Sequence, residues 1–521
     1  MTKAVVIGSG HNALISACYL AKAGLEVEVF ERDQVIGGAV STIERWPGFA
    51  VDRGSSLHVM LRFTGIVEEL QLSKFGLQYL EVDPWAFAPF WQGPTQEAIT
   101  FHSDLDKTCA SIEKVAGAKD AHSYRVFVSD WRKRNERIFE IFQVEPTPAA
   151  MARVLLKSKN KGVFKRLRHF GRNDGLVRSR DFLLPADSLL DENFDNENLK
   201  TALAWLGAQS GPPTHEVATA DLMAWFALLH GTPPWRAVGG SGSLTKALAN
   251  CLTSLGGVLH NGVAVKEILY SSEKVTGVRT EKDGTHSADL VIAGCHVWHT
   301  AKMIKEHPIS RQMQNKIRVG NGLGLAIRVA TNSLPPYPSA QENPGAYNGM
   351  QLLAPSREHL KSAYGDFLSG QSPTHPAVLA MSFSALDPTI APKGKHNLTL
   401  WSQWHPYQLK SKTWPEITEQ VTDCVIAQVE AAAPGFTQTI EQVYAQTPDK
   451  IEQELALPNA NVMHVEMTLD STFWWRPLPE ISRYRMPIKG LYLTGASTHP
   501  GGGVFGASGR SAAKAALSDL S

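Results

Sequence analysis

The chain has 521 residues, of which 43% are hydrophobic and 19% are charged, and its formal net charge is +1. This composition predicts a globular protein of two domains, and the small net charge gives no global field that would attract nucleic acid. The five cysteines stand far apart in the sequence, which excludes a CxxC redox pair and is typical of a reducing compartment. We find neither a signal peptide nor an apolar run of about 20 residues, so we expect a cytoplasmic protein.

The first forty residues predict a strand, a glycine turn, a helix and a second strand. Residues 4–7 are apolar, Gly8, Gly10 and Ala13 follow at GxGxxA spacing, and Glu31 ends the second strand. In such a unit the glycines allow a tight turn and close approach of a pyrophosphate, the third position lets the helix pack, and the acid binds ribose hydroxyls. We therefore predict a dinucleotide site here; the alternative is an ordinary glycine-rich turn.

A second pair of glycines, Gly37 and Gly38, follows the acid and Arg32. Glycines at this point let another backbone segment approach the same dinucleotide. The spacing resembles the extended FAD signature of the flavin amine oxidase and phytoene desaturase superfamily, and the resemblance implies that these three residues contribute to an FAD site. The signature usually continues with arginine, whereas Ala39 stands here, so no side-chain contact to FAD is implied at that position.

The middle of the chain changes character twice. Residues 120–230 predict mainly helices, and residues 235–295 return to an α/β pattern. The individual elements that the pattern predicts are strands at 262–268, 275–280 and 289–293, strands of a separate sheet at 323–330, 377–384 and 397–404, and a helix at 416–432.

These elements predict an α/β fold, in which a Rossmann-like FAD-binding domain of the two-dinucleotide-binding-domain type is interleaved with an α+β substrate domain. We expect residues 1–85, 230–300 and 460–521 to form the discontinuous FAD-binding domain. Residues 86–229 and 301–459 are expected to form the substrate-binding domain with a helical cap.

The last sixty residues predict a strand at 490–494, a glycine turn, and a small-residue helix opened by Gly501, Gly502 and Gly503. A flavin gains negative charge at its pyrimidine edge when it is reduced, and a helix N-terminus pointing there stabilises the charge by roughly 0.3–2 kcal/mol. Together with the N-terminal signature, this segment favours a flavin-ring site; alone, it fits a glycine-rich loop before a packed helix equally well. The predicted contacts are Gly495, Gly502, Gly503 and Val504.

Three further segments carry a closer resemblance. Residues 54–58, 386–392 and 464–480 resemble the phytoene desaturase-related branch of FAD oxidoreductases, which includes the β-carotene ketolases and the pyridine nucleotide-disulfide oxidoreductase domain protein 2 group. The resemblance covers essentially the whole chain and implies FAD as the cofactor. It also implies that Val265 lies near the adenine, on the strand after residues 256–257. It identifies no substrate, because the branch is diverse.

Few side chains at the substrate end indicate chemistry by themselves. His499 stands inside the C-terminal glycine motif, where it fits a general base or a hydrogen-bond partner of the flavin, or else a structural turn histidine. His58, Trp474 and Trp475 are candidates for a substrate wall, although aromatic residues of this kind are more often core. No metal site is predicted.

We predict an FAD-dependent dehydrogenase or oxidase that acts on an apolar substrate, with carotenoid or polyene chains first among the candidates. The electron acceptor is expected to be oxygen or a quinone. The alternatives are a flavin amine oxidase, a redox-neutral isomerase that uses reduced flavin, and a non-catalytic lipid-binding chaperone on the same fold.

The stretch 153–172 carries eight lysines and arginines and no acid. It fits either a solvated helical face or an amphipathic patch on anionic lipid, and we expect a peripheral membrane contact there. No recognition motif accompanies the charge, so nucleic acid is not expected as a partner.

Overall fold

The computed structural model describes residues 1–92, 97–156, 180–282 and 284–521. Its strands are β1 Lys3–Ile7, β2 Glu26–Glu31, β3 Thr42–Trp46, β4 Phe49–Asp52, β5 Tyr79–Glu81, β6 Ala86–Pro89, β7 Ala98–Phe101, β8 Trp235–Ala237, β9 Val258–Asn261, β10 Val265–Ser271, β11 Lys274–Thr280, β12 Thr285–Ser287, β13 Leu290–Ala293, β14 Gly324–Thr331, β15 Met350–Leu353, β16 Val378–Met381, β17 His396–Gln403, β18 Ile440–Gln446 and β19 Leu491–Leu493. Its helices are α1 His11–Lys22, α2 Ile66–Glu69, α3 Leu105–Phe142, α4 Pro148–Leu156, α5 Ala186–Asn193, α6 Glu197–Ala208, α7 Ala220–Met223, α8 Ser243–Ser254, α9 Val297–Met303, α10 Pro308–Lys316, α11 Arg357–Leu368, α12 Trp414–Ala432, α13 Pro448–Leu455 and α14 Ala507–Leu520.

A parallel sheet of five strands, in the order β19–β13–β1–β2–β9, joins both ends of the chain. Its central strand β1 is apolar on both faces because both faces are covered. Ala4 and Val6 pack with α1, α8 and α14, whereas Val5 and Ile7 pack with β10, β11 and α9. The carboxyl ends of the strands meet at one edge, which is where open α/β sheets bind ligands.

A second sheet has seven strands in the order β18–β14–β17–β16–β15–β6–β7. Leu325 and Leu400 pack against α12, while Leu352 and Leu379 pack against the helical region of α3, α5 and α6. The seven-stranded sheet thus lies between one long helix and a helical layer, as an α+β domain requires.

The strands divide between the two sheets by chain segment. Every strand of the five-stranded sheet lies within 1–85, 230–300 or 460–521, and every strand of the seven-stranded sheet lies within 86–229 or 301–459. The boundary residues of the two domains stay a prediction.

Two elements differ from their predicted bounds. The strand expected at 262–268 corresponds to β10, which begins only at Val265 because Gly262, with a φ of +67°, turns the chain after β9 has ended at Asn261. Val265 therefore begins β10, in an antiparallel sheet with β11 and β12, whereas the strand that follows residues 256–257 is β9. The C-terminal helix begins at Ala507, so Gly501, Gly502 and Gly503 form a loop before it.

The basic stretch predicted to contact a membrane is described only in part. Arg153 is exposed near the end of α4, and residues 157–172 lie outside the described residues. Within the ranges that the structure describes, no helix is both long enough and apolar enough to cross a membrane.

Candidate functional site

The N-terminal glycine turn lies at the carboxyl end of β1. Gly8 N donates to Phe30 O at 2.8 Å, and Gly10 begins α1 without a side-chain cap. A Cβ added to Gly10 would meet no atom within 4 Å, whereas a Cβ added to Gly294 would lie 2.5 Å from the Cβ of the buried Ala13. The turn is therefore open above Gly10 and closely packed behind Ala13, which leaves the helix N-terminus accessible to an anion.

Glu31 connects this turn to the segment that carries the second glycine pair. Its carboxylate is largely buried and accepts hydrogen bonds from Ser9 N at 2.8 Å, Ser9 Oγ at 2.7 Å and Asp33 N at 2.8 Å. Ser9 Oγ in turn accepts a hydrogen bond from Gly37 N at 3.0 Å. The predicted ribose acid is thus held in a fixed position at the edge of the sheet.

The second glycine pair brings a backbone segment against the first turn. Gly37 has a φ of +106°, and a Cβ added to it would lie 2.5 Å from Thr245 Oγ1 and closer still to Val40 O, so no side chain fits. A Cβ added to Gly38 would lie 3.8 Å from Gly10 Cα. The two glycine segments therefore face each other across a space bounded by backbone.

Arg32 and Val265 occupy the margin of this half of the site. The Arg32 side chain is exposed and donates to the carbonyl oxygens of Gln453 and Glu454 at 3.4 and 3.1 Å. Val265 stands two residues after Val263, whose N donates to Glu31 O at 2.8 Å. The backbone before Val265 is thus fixed beside the acid, and the contact of Val265 with an adenine stays a prediction. The Arg32 side chain points along the surface.

The C-terminal helix α14 packs against the first turns of α1 and is hydrogen-bonded to them. Ser16 Oγ donates to Gly509 O at 2.7 Å, and Gly509 N donates to Asn12 Oδ1 at 3.3 Å. A Cβ added to Gly509 would lie 3.0 Å from Ile15 Cβ and closer still to Asn12 O. Gly495, at the end of β19, donates its N–H to Ser508 Oγ at 3.0 Å. The two ends of the chain therefore form a single site.

The segment 463–467 lies over the C-terminal glycine loop. A Cβ added to Gly502 would lie 3.1 Å from Met463 Cα and would overlap its Sδ. Gly503 belongs to the same loop, and Val504 is buried in the apolar core beside α1. The predicted ring contacts thus lie between the core of the FAD-binding region and the segment 463–467. The contact of this segment with the loop is visible only in the folded structure.

His499 lies within this loop as a buried, neutral imidazole. Its Nε2 donates to Ile141 O at 3.2 Å, and its Nδ1 has no hydrogen-bond partner among the described residues. Burial lowers the pKa of His499 to about 4, so Nδ1 is a weak base at neutral pH. The ring contacts Phe142 and Phe473, with centroids 5.8 and 6.3 Å away. The predicted role of His499 as a base stays a prediction.

His58 lies in a hydrogen-bond network inside the FAD-binding region. Its Nδ1 bonds Tyr79 Oη at 2.7 Å and its Nε2 bonds Ser241 Oγ at 2.9 Å. Burial lowers its pKa to about 3. Because both ring nitrogens are engaged, His58 orders the β5–β8 region in this structure instead of presenting a free nitrogen.

Trp474 and Trp475 lie at the helical region. Trp474 packs against Met151 of α4 and contacts Phe473, which in turn contacts His499. Trp475 stacks edge-on against Trp474 at 5.0 Å and is 36% exposed. His499, Phe473, Trp474 and Trp475 therefore form a continuous row of rings. The row begins at the glycine loop and ends at the surface.

Three side chains at the loop were assigned no function from the sequence. Arg476 is fully buried and donates to Ala496 O at 2.7 Å. His464 has a φ of +65°, which is strained for a non-glycine residue, and its Nδ1 bonds Ser497 Oγ at 3.1 Å. His296 Nε2 donates to His464 O at 2.9 Å. The segment 464–480 contains two of them, and its resemblance to the desaturase branch is the signal that marks it.

The residues present fit FAD. The space above Gly10, the facing backbone at Gly38, the uncapped start of α1 and the buried acid Glu31 are the features a dinucleotide requires. In the ranges that the structure describes, no group of three or more His, Cys, Asp or Glu side chains is placed to hold a metal ion.

Sequence comparisons place the chain among flavoproteins. Residues 14–517 match the family described as flavin containing amine oxidoreductase. The chain is 32% identical to mouse pyridine nucleotide-disulfide oxidoreductase domain-containing protein 2, covering 99% of this chain and 93% of that protein. It is 23% identical to a component of the limonene dehydrogenase of Castellaniella defragrans, with 99% and 94% covered, and 22% identical to a neurosporene-forming phytoene desaturase of Cereibacter sphaeroides, with 99% and 94% covered.

Solved structures agree with the fold. An oxidoreductase from Methanosarcina mazei superimposes with a TM-score of 0.65 at 17% identity, covering 99% of this chain and 100% of that one. A variant of putrescine oxidase gives a TM-score of 0.62 at 13% identity, with 100% and 98% covered. The chain belongs to the flavin containing amine oxidoreductase family and is an FAD-dependent oxidoreductase.

Proposed function

We propose that this oxidoreductase dehydrogenates an uncharged, apolar substrate, with carotenoid or other polyene chains first among the candidates. The observation that carries the proposal is the charge at the C-terminal glycine loop. Arg476 lies under this loop, and the neighbouring His296, His464 and His499 are neutral because burial lowers their pKa values. An ammonium group entering here would meet a like charge, whereas a hydrocarbon chain would not.

The carboxylates of the site-forming segments already have partners. Glu466 pairs with Arg318 at 3.0 Å, Asp52 pairs with Arg236, and Glu31 accepts the hydrogen bonds described above. None of them is placed as a counter-ion for a substrate ammonium. This pattern favours a neutral substrate over a cationic one.

Aromatic rings supply the apolar surface next to the loop. Phe142 lies 5.6 Å from Phe505 and 6.1 Å from Phe473, measured between ring centroids, and His499 lies among them. Such a surface suits an apolar chain, which needs positioning and exclusion of water more than acid–base groups. Two relatives are named for limonene dehydrogenation and phytoene desaturation, which supports the same substrate class.

The roles of the chain's own residues follow from this arrangement. FAD, when bound, supplies the two-electron acceptor. The start of α1 with Gly10 and Gly38 binds the phosphates, and Glu31 binds ribose hydroxyls. The aromatic rings around His499 hold the substrate and exclude water. We further propose oxygen or a quinone as the acceptor that returns the protein to its oxidised state.

Anaerobic bleaching of the flavin absorbance tests the substrate class. Carotenoids and shorter polyenes presented in detergent micelles, a panel of mono- and diamines, and empty micelles as a control are mixed with the holoenzyme. We expect bleaching by at least one polyene and by no amine. Rapid bleaching by an amine and by no polyene would overturn the proposal.

The family description favours one second candidate, an amine oxidase. This function predicts peroxide release on aerobic incubation with amines, and the aromatic rings near His499 would then form the cage around the amine. The same panel under air, with peroxide as the readout, separates the two functions.

We also propose that the protein works in the cytoplasm and touches anionic lipid at its helical region. Phe182, Leu183 and Val217 are 47%, 57% and 65% exposed, and Ala218 N donates to Leu183 O at 3.2 Å, which joins the two segments into one patch. Exposed apolar side chains that follow a basic stretch closely in sequence suit a lipid surface. Flotation with phosphatidylserine vesicles, compared with phosphatidylcholine vesicles, tests this contact. If the protein floats with neither kind of vesicle, the proposed lipid contact is wrong.

A further inference from the structure

Arg476 is a buried cation that has no carboxylate among its described hydrogen-bond partners. Its side chain is 0% exposed. Each of its nitrogens donates to main-chain oxygens, which are those of Met463 at 2.7 Å, Val465 at 3.3 Å, Glu466 at 3.3 Å, Ser471 at 3.2 Å and Ala496 at 2.7 Å. These carbonyls satisfy the N–H groups, but they leave the positive charge uncompensated.

The charge persists at neutral pH despite its burial. Burial lowers the pKa of Arg476 to about 9, which still leaves the guanidinium protonated. The three histidines that interact with this charge do not offset it, because burial and the neighbouring charges keep the pKa values of His296 and His499 at about 4 and that of His464 well below its usual value. An uncompensated buried cation is costly, so its retention calls for a partner anion.

The position of this charge indicates which anion it serves. A Cβ added to Gly501 would lie 3.4 Å from Arg476 Nε, and Ala496, which accepts one of its two shortest hydrogen bonds, directly follows Gly495. The charge therefore lies directly beneath the loop assigned to the flavin ring. A flavin ring carries extra negative charge only after it has been reduced, so the partner anion would form during turnover.

We propose that Arg476 is a positioning residue that makes the loop bind the reduced, anionic flavin more tightly than the oxidised one. Reduction by two electrons with uptake of one proton leaves one negative charge on the ring, and the guanidinium beneath the loop compensates it. The start of α14 lies next to the same loop and adds a dipole of the same sign. The proposal rests on the ring lying at this loop and does not depend on the identity of the substrate.

A purely structural role makes a different prediction. If Arg476 only ties residues 463–471 to the loop, its loss weakens oxidised and reduced FAD equally and leaves the midpoint potential of the bound flavin unchanged. If its charge acts on the ring, reduced FAD loses more affinity than oxidised FAD. A change in the ratio of the affinities for reduced and oxidised FAD shifts the midpoint potential of the bound flavin. The midpoint potential therefore distinguishes the two roles.

Redox titration of the holoprotein against reference dyes tests the proposal. Arg476→Gln is expected to weaken reduced FAD at least about tenfold more than oxidised FAD, which lowers the midpoint by about 30 mV for a two-electron couple. Arg476→Lys keeps the charge and is expected to retain most of the wild-type potential, even where FAD affinity and thermal stability fall. Equal potentials in Arg476→Gln and wild type would overturn the proposal.

Arg328 provides the matched control. It is a buried guanidinium whose hydrogen-bond partners are Thr399 Oγ1, Arg53 O and Gln446 Oε1, again with no carboxylate among those described. It lies in β14 of the other sheet. Arg328→Gln is expected to leave the midpoint within a few millivolts of wild type, and an equal drop in both variants would also count against the proposal.

A second measurement needs no variant. Between about pH 5.5 and 6.5 the midpoint of wild type is expected to fall by about 30 mV per pH unit, the value for one proton per two electrons, whereas two protons give about 59 mV. Free FAD, titrated in parallel, is the reference. The histidines around the loop are His11, His296, His299, His464 and His499, and the pKa values of all five are lowered by burial. Tyr484 Oη donates to His499 O at 3.1 Å, and burial raises the pKa of Tyr484, so it stays protonated over this pH range. A slope equal to that of two protons in the protein would overturn the proposal.

Discussion

The two halves of the FAD site are built by different means. The N-terminal half uses backbone and small residues from the first forty positions, with Gly10 and Gly38 facing each other and a single acid beside them. The C-terminal half uses side chains that arrive from other segments, such as Arg476 and His464. Phosphates need only N–H groups and space, so one short segment suffices. A ring that changes charge needs an electrostatic environment, and only the assembled fold supplies it.

The largest expected effect comes from closing the space above Gly10. Gly10→Val should reduce FAD affinity by at least about 100-fold, roughly 2.8 kcal/mol, because the added side chain occupies the position of the pyrophosphate. The apoprotein should still fold, since a Cβ at this position meets no protein atom within 4 Å. Flavin content after purification and the thermal midpoint of the apoprotein are the measurements.

Gly365→Val is the control for this substitution. Gly365 lies in α11, and a Cβ added there also meets nothing within 4 Å. Its flavin content should equal that of wild type. Full occupancy in Gly10→Val would contradict the assignment of the N-terminal half.

The next effect tests the joint between the two halves. A Cβ at Gly509 would overlap α1 near Asn12 and Ile15, so Gly509→Ala should lower the free energy of unfolding by about 1–3 kcal/mol. Urea unfolding of the apoprotein measures it. Lys514→Ala, on the exposed face of the same helix, should change stability by less than about 0.5 kcal/mol. Equal stability of the two variants would show that the halves are not held together at this contact.

The N-terminal half is largely predictable from sequence, because its determinants are local. The spacing of Gly8, Gly10 and Glu31 predicts the turn, the helix and the acid, and each lies where the spacing places it. The separate sheet and the helix at Trp414–Ala432 also follow from hydrophobic pattern. Strand β9 and the turn at Gly262 that separates it from β10 were missed, since an isolated glycine in an apolar run does not show whether the chain turns there.

The sequence locates the C-terminal half, but it does not predict which side chains surround the loop there. The carbonyl partners of Arg476 span residues 463–496, and a backbone oxygen leaves no mark on the sequence. His58 illustrates the same limit, because its partners Tyr79 and Ser241 stand 21 and 183 positions away. A buried histidine in a network and one facing a substrate look alike until the fold brings their neighbours together.

The pH dependence of stability compares His499, in the C-terminal half, with His58, whose hydrogen-bond network lies in the β5–β8 region outside both halves. Burial depresses the folded-state pKa of His499 to about 4 and that of His58 to about 3, below the usual value of about 6.5. The unfolded chain therefore binds protons that the folded chain does not, so stability is full above about pH 6.5 and falls as pH drops toward these values.

Replacing either histidine by glutamine should remove one proton from this dependence. Between about pH 6 and 5 the loss of stability should become smaller by up to about 1.4 kcal/mol per pH unit in each variant. Urea unfolding of the apoprotein at the two pH values measures it, with His122→Gln, at an exposed position, as the control. An unchanged dependence in His499→Gln alone would mean that its ring is solvated, which would open the C-terminal half to water.

The smallest expected effect concerns Arg32, which the sequence assigns to the cofactor. Because its side chain is exposed and donates to the carbonyls of Gln453 and Glu454, Arg32→Ala should change FAD affinity by less than about twofold and stability by no more than about 0.5 kcal/mol. Glu31→Gln is the contrast, since loss of a charged acceptor should cost about tenfold or more in affinity. Fluorescence titration of the apoprotein with FAD measures both. A tenfold loss in Arg32→Ala would return this arginine to the site and would mean that the N-terminal half, too, depends on a long side chain.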